Sequence, residues 1–141
     1  MSTEPPNVFE RRFQNTLPDL GRVTEEAVGF IEANGIGAEA VYAANLVIEE
    51  MVTNTLKYGY NDGAAHEILL RVELLPQRLL LVLEDDAHEF NPLNAPKPNL
   101  HLPAEQRTPG GLGILLVRKF AEDVRYERRD GRNYLIVAIR R

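Results

Sequence analysis

The sequence predicts an α+β two-layer sandwich, in which helices cover one face of a mixed, mostly antiparallel sheet. Three observations lead to this prediction. Two segments near the N-terminus have apolar residues at helical spacing, two strand-like segments then follow one another directly, and a hairpin closes the chain. Strands joined directly pair antiparallel, and helices gathered on one face of such a sheet form the second layer.

Length, charge and composition limit the classes of protein to which this chain can belong. The 141 residues fit one domain, which we predict to cover positions 1–141. The formal net charge of −5 argues against direct nucleic-acid binding, which needs a basic face. Without cysteine, disulfides and thiolate metal sites are excluded. No apolar run approaches a membrane span and MSTEPPNVFE lacks signal-peptide features, so we expect a cytoplasmic protein with no membrane partner.

The N-terminal segment is predicted to contain a strand and then a helix. Residues 1–7 are polar and are expected to form a loose tail, followed by a strand over Val8–Asn15. The motif TLPD at residues 16–19 is typical of a capped helix start, and Asn34-Gly35 of a helix end. The expected buried face of this helix is Leu17, Leu20, Thr24, Ala27, Val28 and Ile31.

The middle of the chain is predicted to form a second helix and two strands. The helix runs from Ala38 to Tyr58 and precedes a YNDG turn. Apolar and charged residues alternate over residues 67–74, which indicates a strand with one buried face. After a Pro76-Gln77 turn, the apolar run LLLVL at Leu79–Leu83 is typical of a central strand.

The C-terminal part begins with a long loop. Asn91–Pro109 contains five prolines and little periodicity, and a loop of that length inside a compact domain is usually functional. A short helix is predicted over Leu112–Ala121. The last two predicted strands, Val124–Arg129 and Arg132–Ile139, form a hairpin around the Asp130-Gly131 turn.

Two polar side chains of the second helix are candidates for chemistry. Glu50 and Asn54 are four residues apart and lie on one side of the helix, with Lys57 a turn further on. Glu49 has only Thr53 at the same spacing, which makes Glu50 and Asn54 the better couple. A buried Asn54 would need a partner, and a magnesium ion suits an amide oxygen. The alternative is that Glu50 and Asn54 belong to a solvent-exposed polar stripe of the helix. If this pair is considered alone, the exposed stripe is favoured.

Two further segments carry a signal of their own. Asp85 and Asp86 end the apolar strand, a place where ligands commonly bind, although Asp also favours turns. In TPGGLGILLV, Gly110, Gly111 and Gly113 allow backbone amides to approach an anion at a helix start, and a flexible hinge is the alternative. A short glycine motif is weak by itself.

The order of these features resembles that of a known superfamily. A Glu-x-x-x-Asn helix, a strand ending in Asp, a long loop and Gly-Gly-Leu-Gly opening a helix are similar to the Bergerat-fold ATPases of the GHKL superfamily. Within it, the chain resembles the small anti-sigma-factor serine/threonine kinases. The resemblance extends from about Phe9 to Arg140, and its most specific parts are EEMVTNTLKYGY and GGLGILLVRKF.

The resemblance implies a role for individual residues. Asn54 corresponds to the ligand of a magnesium ion, Glu50 to a general base, and Asp85 to the aspartate that accepts from the adenine amino group. Residues 91–109 correspond to an ATP lid, and the glycines around residue 111 to those that surround the phosphates. The residues implied to bind ATP are Asn54, Lys57, Asp85, Ala87, Thr108, Gly110, Gly111, Leu112 and Gly113.

The implied activity is that of a Mg²⁺- and ATP-dependent protein serine/threonine kinase. By resemblance, its substrate is a STAS-type anti-sigma-factor antagonist, its second partner is a sigma factor, and the protein forms a homodimer. A non-catalytic regulatory module with a degenerate site is the alternative, because Ala87 and Glu89 replace glycines of the family pattern and Ile136 a threonine near the adenine. A separate histidine-kinase catalytic domain is disfavoured, since no dimerising helical hairpin is recognisable.

Overall fold

The structure is a computed structural model that describes residues 7–60, 62–94 and 111–141, with the side chains of Tyr58, Asn94 and Leu112 outside the description. The helices and strands are, in chain order, β1 (Val8–Gln14), α1 (Leu17–Ala33), α2 (Ala38–Asn54), β2 (Glu67–Leu74), β3 (Arg78–Asp85), α3 (Gly111–Phe120), β4 (Asp123–Arg129) and β5 (Arg132–Arg140). Two short helical turns, Thr55–Gly59 and Pro92–Asn94, lie between them.

The five strands form one open sheet in the order β1-β2-β3-β5-β4. Every neighbouring pair is antiparallel, so the described strands contain no parallel pair, although the sequence predicted a mixed sheet. Asp130 and Gly131 join β4 to β5, and both have positive φ, as a two-residue type I′ hairpin turn requires. The predicted α+β sandwich is confirmed.

One face of the sheet is apolar and carries the helices. Side chains alternate between the two faces along a strand, and both residues of a cross-strand pair lie on the same face of the sheet. The core contributed by the three central strands consists of Ile68, Leu70, Val72, Leu74, Leu79, Leu81, Leu83, Leu135, Val137 and Ile139. On the other face lies the row Arg71, Val82 and Ile136.

The first helix, α1, starts as the sequence predicts. The hydroxyl oxygen of Thr16 accepts a hydrogen bond from the backbone N–H of Asp19 at 3.3 Å, which caps the helix. The buried residues are Leu20, Val23, Thr24, Ala27 and Ile31. Leu17 is 68% exposed, so its expected place on the buried face is wrong. As the first helical residue, Leu17 has a Cα–Cβ bond tilted away from the packed turns.

The second helix, α2, lies at the centre of the helical layer, where it packs on α1, α3, β3 and β5. Its α-helical part ends at Asn54, whereas the sequence predicted a continuous helix to Tyr58. The segment Thr55–Gly59 is instead one turn of π-helix, whose wider winding includes an extra residue. Within the described ranges, no helix combines the length and apolar character needed to cross a membrane.

Candidate functional site

The last two turns of α2 carry the pair of polar residues that the sequence singled out. Glu50 and Asn54 are both half-buried, whereas the neighbouring Glu49 is exposed. Met51 and Val52 are buried in the core between them. The helix therefore turns Glu50, and not Glu49, towards the rest of the protein.

The first turn of α3 lies directly against this pair. A Cβ atom placed on Gly113 would stand 2.8 Å from Oε2 of Glu50 and 3.5 Å from Nδ2 of Asn54. Only glycine permits this approach without displacing the Glu50 carboxylate. The N-terminal N–H groups of an α-helix lack intrahelical partners and carry partial positive charge. Glu50 and Asn54 thus adjoin the positive end of the ten-residue α3.

A pocket of about 380 Å³, including its open mouth, begins at Asn54 and reaches the end of β3. Its polar groups come from Asn54, Thr55, Asp85, Tyr126 and Asn133. The remaining lining residues are Met51, Gly59, Leu83, Ala87, Phe90, Pro92 and Leu135. A mainly apolar pocket with a few convergent polar groups is the usual form of a small-molecule site.

Asp85 is the buried acid of this pocket and is 4% exposed. Its Oδ1 accepts from the backbone N–H of Ala87 at 3.1 Å and from the side-chain amide of Asn133 at 2.9 Å. Burial raises the pKa of the Asp85 carboxyl, and these two hydrogen bonds act in the opposite direction. The hydrogen bonds among the described residues engage Oδ1 alone, so Oδ2 is available to accept from a ligand.

Asn133 is a site residue that sequence reasoning missed. It is buried and pairs with Asp85 in the register between β3 and β5. Ile136 pairs with Val82 on the opposite face, so its expected place beside the adenine is wrong. A signal was present, because Asn133 continues the odd-numbered apolar series Leu135, Val137 and Ile139.

Ala87 lines the pocket with a buried methyl group. Asp130 is the one non-glycine residue with positive φ in the described part of the chain, so Ala87 does not adopt the left-handed conformation. Alanine therefore causes no backbone strain at this position. Gly59 lies against it, since a Cβ atom on Gly59 would be 2.9 Å from the Cβ of Ala87. Glu89 is exposed and is not a lining residue.

The other implied ATP-binding residues are only partly described. Lys57 is exposed on the π-helical turn and is not a lining residue of the pocket. Gly111 is the first residue of α3, and Leu112 follows it in the helix. Thr108, Gly110 and positions 95–109 of the predicted lid lie outside the described residues, and the tail over residues 1–6 does as well.

A polar cluster links the segment after α2 to the loop after β3, which begins at Asp86. The His66 ring stacks on Tyr60, with ring centroids 4.2 Å apart. Its Nε2 lies 2.8 Å from Oδ2 of Asp62, and its Nδ1 lies 3.3 Å from the Asp86 carboxylate. The Tyr60 hydroxyl donates to Oδ1 of Asp86 at 3.0 Å. These contacts fix the outer side of the loop.

Comparison with known proteins identifies the family. The family model described as a histidine kinase-like ATPase domain matches residues 13–139. This chain belongs to that family. The ATPase-domain match confirms the resemblance to the GHKL superfamily and supports an ATP-binding, kinase-like family.

One curated relative of this ATPase domain is the serine/threonine-protein kinase BtrW of Bordetella bronchiseptica. The two sequences are 28% identical over 94 residues. The aligned segment covers 67% of this chain and 66% of BtrW, just under two thirds of the relative's length.

Proposed function

We propose that this ATPase domain is a Mg²⁺- and ATP-dependent protein serine/threonine kinase of the anti-sigma-factor type. The main support is that Asn54, which lies with Glu50 against Gly113, lines the same pocket as Asp85. A nucleotide in this pocket would have its flat base beside Asp85 and its phosphates beside Asn54.

The base would lie beside Asp85, among the apolar lining residues of the pocket. Oδ2 of Asp85 accepts a hydrogen bond from the exocyclic amino group of adenine, while Oδ1 keeps its two internal donors. Met51, Leu83 and Leu135 contribute apolar surface beside this carboxylate. Removal of such surface from water favours the binding of a flat aromatic base.

The phosphates would lie between α2 and the start of α3. The contact at Gly113 keeps the backbone of α3 close to Asn54, with no side chain between them. The N-terminus of a helix favours phosphate through its N–H groups and its dipole. The amide oxygen of Asn54 fits a magnesium ion, which neutralises phosphate charge when bound.

Glu50 would act as the general base. The hydroxyl oxygen of a substrate serine or threonine attacks the γ-phosphorus, the bond to the ADP oxygen breaks, and the hydroxyl proton passes to the Glu50 carboxylate. Phosphoryl transfer depends mainly on positioning and charge neutralisation. The half-buried position of Glu50, with Oε2 next to the first turn of α3, supports this role.

We also propose the partners that the family resemblance implies. The substrate is a STAS-type anti-sigma-factor antagonist, the sequestered partner is a sigma factor, and the kinase is a homodimer. The similarity to the serine/threonine-protein kinase BtrW supports the kinase class. Light scattering of the purified chain measures the oligomeric state, and a monomeric mass at micromolar concentration would contradict the homodimer.

A second candidate is a regulatory binding module without turnover, whose degenerate site holds ATP or nothing. The buried methyl group of Ala87 favours it, because this methyl occupies space at the base end of the pocket. In that case no phosphate would reach a protein substrate, whether or not ATP binds.

Two measurements test the proposed function. Isothermal titration with Mg-ATP measures binding to the purified chain, and an absence of binding would contradict the kinase and favour the second candidate. Incubation with radiolabelled Mg-ATP and the STAS-domain proteins of the organism that encodes this chain then measures phosphoryl transfer. Label on a serine or threonine of one such protein is the expected result. Tight ATP binding without label on any of them would favour the second candidate.

A further inference from the structure

Asn133 uses its complete hydrogen-bonding capacity beside Asp85. Its Nδ2 donates to Oδ1 of Asp85 at 2.9 Å and to the carbonyl of His88 at 3.0 Å. Its Oδ1 accepts from the Tyr126 hydroxyl at 2.5 Å and from Nη1 of Arg128 at 2.9 Å. An amide group has two N–H hydrogens and two acceptor lone pairs, and all four are in use.

The chemistry of these partners determines how the Asn133 amide is oriented. An arginine can only donate, and an ionised carboxylate can only accept. The amide oxygen must therefore face Arg128, and the NH₂ group must face Asp85. Arg128 also donates to the carbonyl of Ala87 at 2.8 Å, which ties the same arrangement to the loop after β3.

From this network we infer that Asn133, held by Tyr126 and Arg128, is a positioning residue that presents Asp85 to the nucleotide base with one oxygen occupied and one free. The inference rests on the proposed binding of ATP in this pocket. Asn133 need not touch the base, since its side-chain hydrogen bonds are internal. Its effect passes through Oδ1 of Asp85.

This arrangement makes the site selective for a base with an amino group. A carboxylate with one free oxygen accepts well from the adenine amino group. Inosine has a carbonyl oxygen at that position, and two acceptors facing each other in a buried site are unfavourable. We expect Mg-ATP to bind at least about tenfold more tightly than Mg-ITP.

The charges around Asp85 give this role a distinct pH signature. Asp86 follows it in the loop, Arg132 lies on β5, Arg128 on β4, and the Tyr60 hydroxyl after α2. Burial and Asp86 raise the pKa of the Asp85 carboxyl, while Asn133 and Arg132 lower it. A carboxylate with a raised pKa takes up its proton as the pH falls, so ATP affinity should decline towards acid pH.

The substitution Asn133→Asp isolates the proposed role. The new carboxylate has the shape of the amide and can still accept from Tyr126 and Arg128, but without a proton it cannot donate to Asp85. At low pH the two carboxyls share one proton and the donor returns, whereas at high pH both ionise and repel. ATP affinity in this variant should therefore fall as the pH rises, opposite to the wild-type protein.

Titration calorimetry with Mg-ATP and Mg-ITP, from about pH 5 to about pH 8, tests the inference on the full chain. Tyr134→Phe is the matched control, because Tyr134 lies on the other face of β5 and donates to Glu84. The expected result is a reversed pH dependence in N133D, with loss of ATP preference at high pH, and no change in Y134F. The same pH dependence and ATP preference in N133D and wild type would overturn the inference while leaving ATP binding intact.

A measurement without nucleotide separates this inference from the proposed function. In ¹³C NMR of the free protein, Asn133→Leu removes the donor to Asp85, so the carboxyl pKa of Asp85 should rise. An unchanged titration midpoint would overturn the inference. If the wild-type protein bound no nucleotide but this midpoint rose, the hydrogen bond from Asn133 to Asp85 would stand, and the proposed kinase would fail. If N133L does not fold, the reversed pH dependence of ATP affinity in N133D decides whether Asn133 positions Asp85.

Discussion

Glu50 and Asn54 share one edge of α2, yet their neighbours assign them different tasks. Both lie against Gly113, but Asn54 also lines the pocket that reaches Asp85. An amide suits the binding of a cation, and a carboxylate suits the uptake of a proton. Separate substitutions should therefore separate binding from chemistry.

Asn54→Ala should abolish Mg²⁺-dependent ATP binding and leave the fold intact. The side chain is half-buried at the end of α2, where alanine is an acceptable helical residue. Calorimetric titration with and without magnesium measures the effect. Asn45→Ala, on the same helix but outside the pocket lining, is the control. Unchanged Mg-ATP affinity in N54A would show that Asn54 is not the ligand.

Glu50→Gln should slow phosphoryl transfer and preserve ATP binding. Glutamine keeps the size of the side chain but cannot accept the proton, and loss of a general base costs on the order of 10²–10⁴ in rate. A single-turnover assay of phosphoryl transfer to the protein substrate measures this rate. Glu49→Gln changes the exposed neighbour and should transfer at the wild-type rate. A wild-type rate of transfer in E50Q would show that Glu50 is not the general base.

Sequence patterns located some site residues and missed others for a physical reason. Helical spacing is local, so Glu50 and Asn54 could be paired from their positions alone. The partnership of Asp85 with Asn133 joins two strands 48 positions apart, and only the strand register creates it. Ile136 was misplaced because a one-position error moves a strand residue to the other face.

At the scale of structural elements, the cluster around His66 joins the segment after α2 to the loop after β3. Both ring nitrogens face carboxylates, at 2.8 Å for Asp62 and 3.3 Å for Asp86. A neutral imidazole has only one N–H donor, so the cationic ring fits this arrangement best. The hydrogen bond to Asp62, together with the contacts to Asp86, raises the pKa of His66 despite the opposing effect of burial.

The stabilising effect of His66 should depend on pH. A pKa raised by folding gives stability that is fully present below the unfolded value of about 6.5 and is lost as pH rises through the folded pKa. Urea unfolding of wild type and His66→Gln should therefore differ most at acid pH, with a smaller gap under alkaline conditions. His88→Gln, at an exposed loop position, is the control. A gap that does not change with pH would contradict the cationic link.

The contact between α2 and α3 predicts opposite effects for two glycine substitutions. Gly113→Ala would place a methyl 2.8 Å from Oε2 of Glu50, and the flexible carboxylate would have to move. The fold should survive, while phosphoryl transfer falls. Gly29→Ala, in α1 with open space around it, should stabilise the protein by about 0.5–1 kcal/mol and leave transfer unchanged. Equal transfer in both variants would show that this contact is unimportant.

The positions of most elements followed from local patterns, but the end of α2 did not. Caps, turn residues and apolar periodicity predicted the bounds of α1 and the hairpin to within a few residues. The change from α- to π-helix at Thr55 leaves no periodic trace, because one extra residue in a single turn is too short a signal.

For the whole molecule, a single core extends from Phe9 on β1 to Ile139 on β5 and includes residues of all three helices. Such a core favours one cooperative unfolding transition. A ligand that binds only the folded state raises the unfolding free energy by about 2.7 kcal/mol at a hundredfold excess over Kd. Mg-ATP should therefore shift the complete urea transition of the wild-type protein, as measured by fluorescence and circular dichroism. Two separate transitions would contradict a single cooperative unit.

The approach of Gly59 to Ala87 has a consequence for how sequences of this family vary. The 2.9 Å separation leaves space for one methyl group between the π-helical turn and the loop after β3, and here residue 87 contributes it. The two positions therefore share a fixed volume, although they lie far apart in the chain. A relative with glycine at position 87 has space for alanine at position 59. The two positions should therefore covary, and alanine should not occur at both.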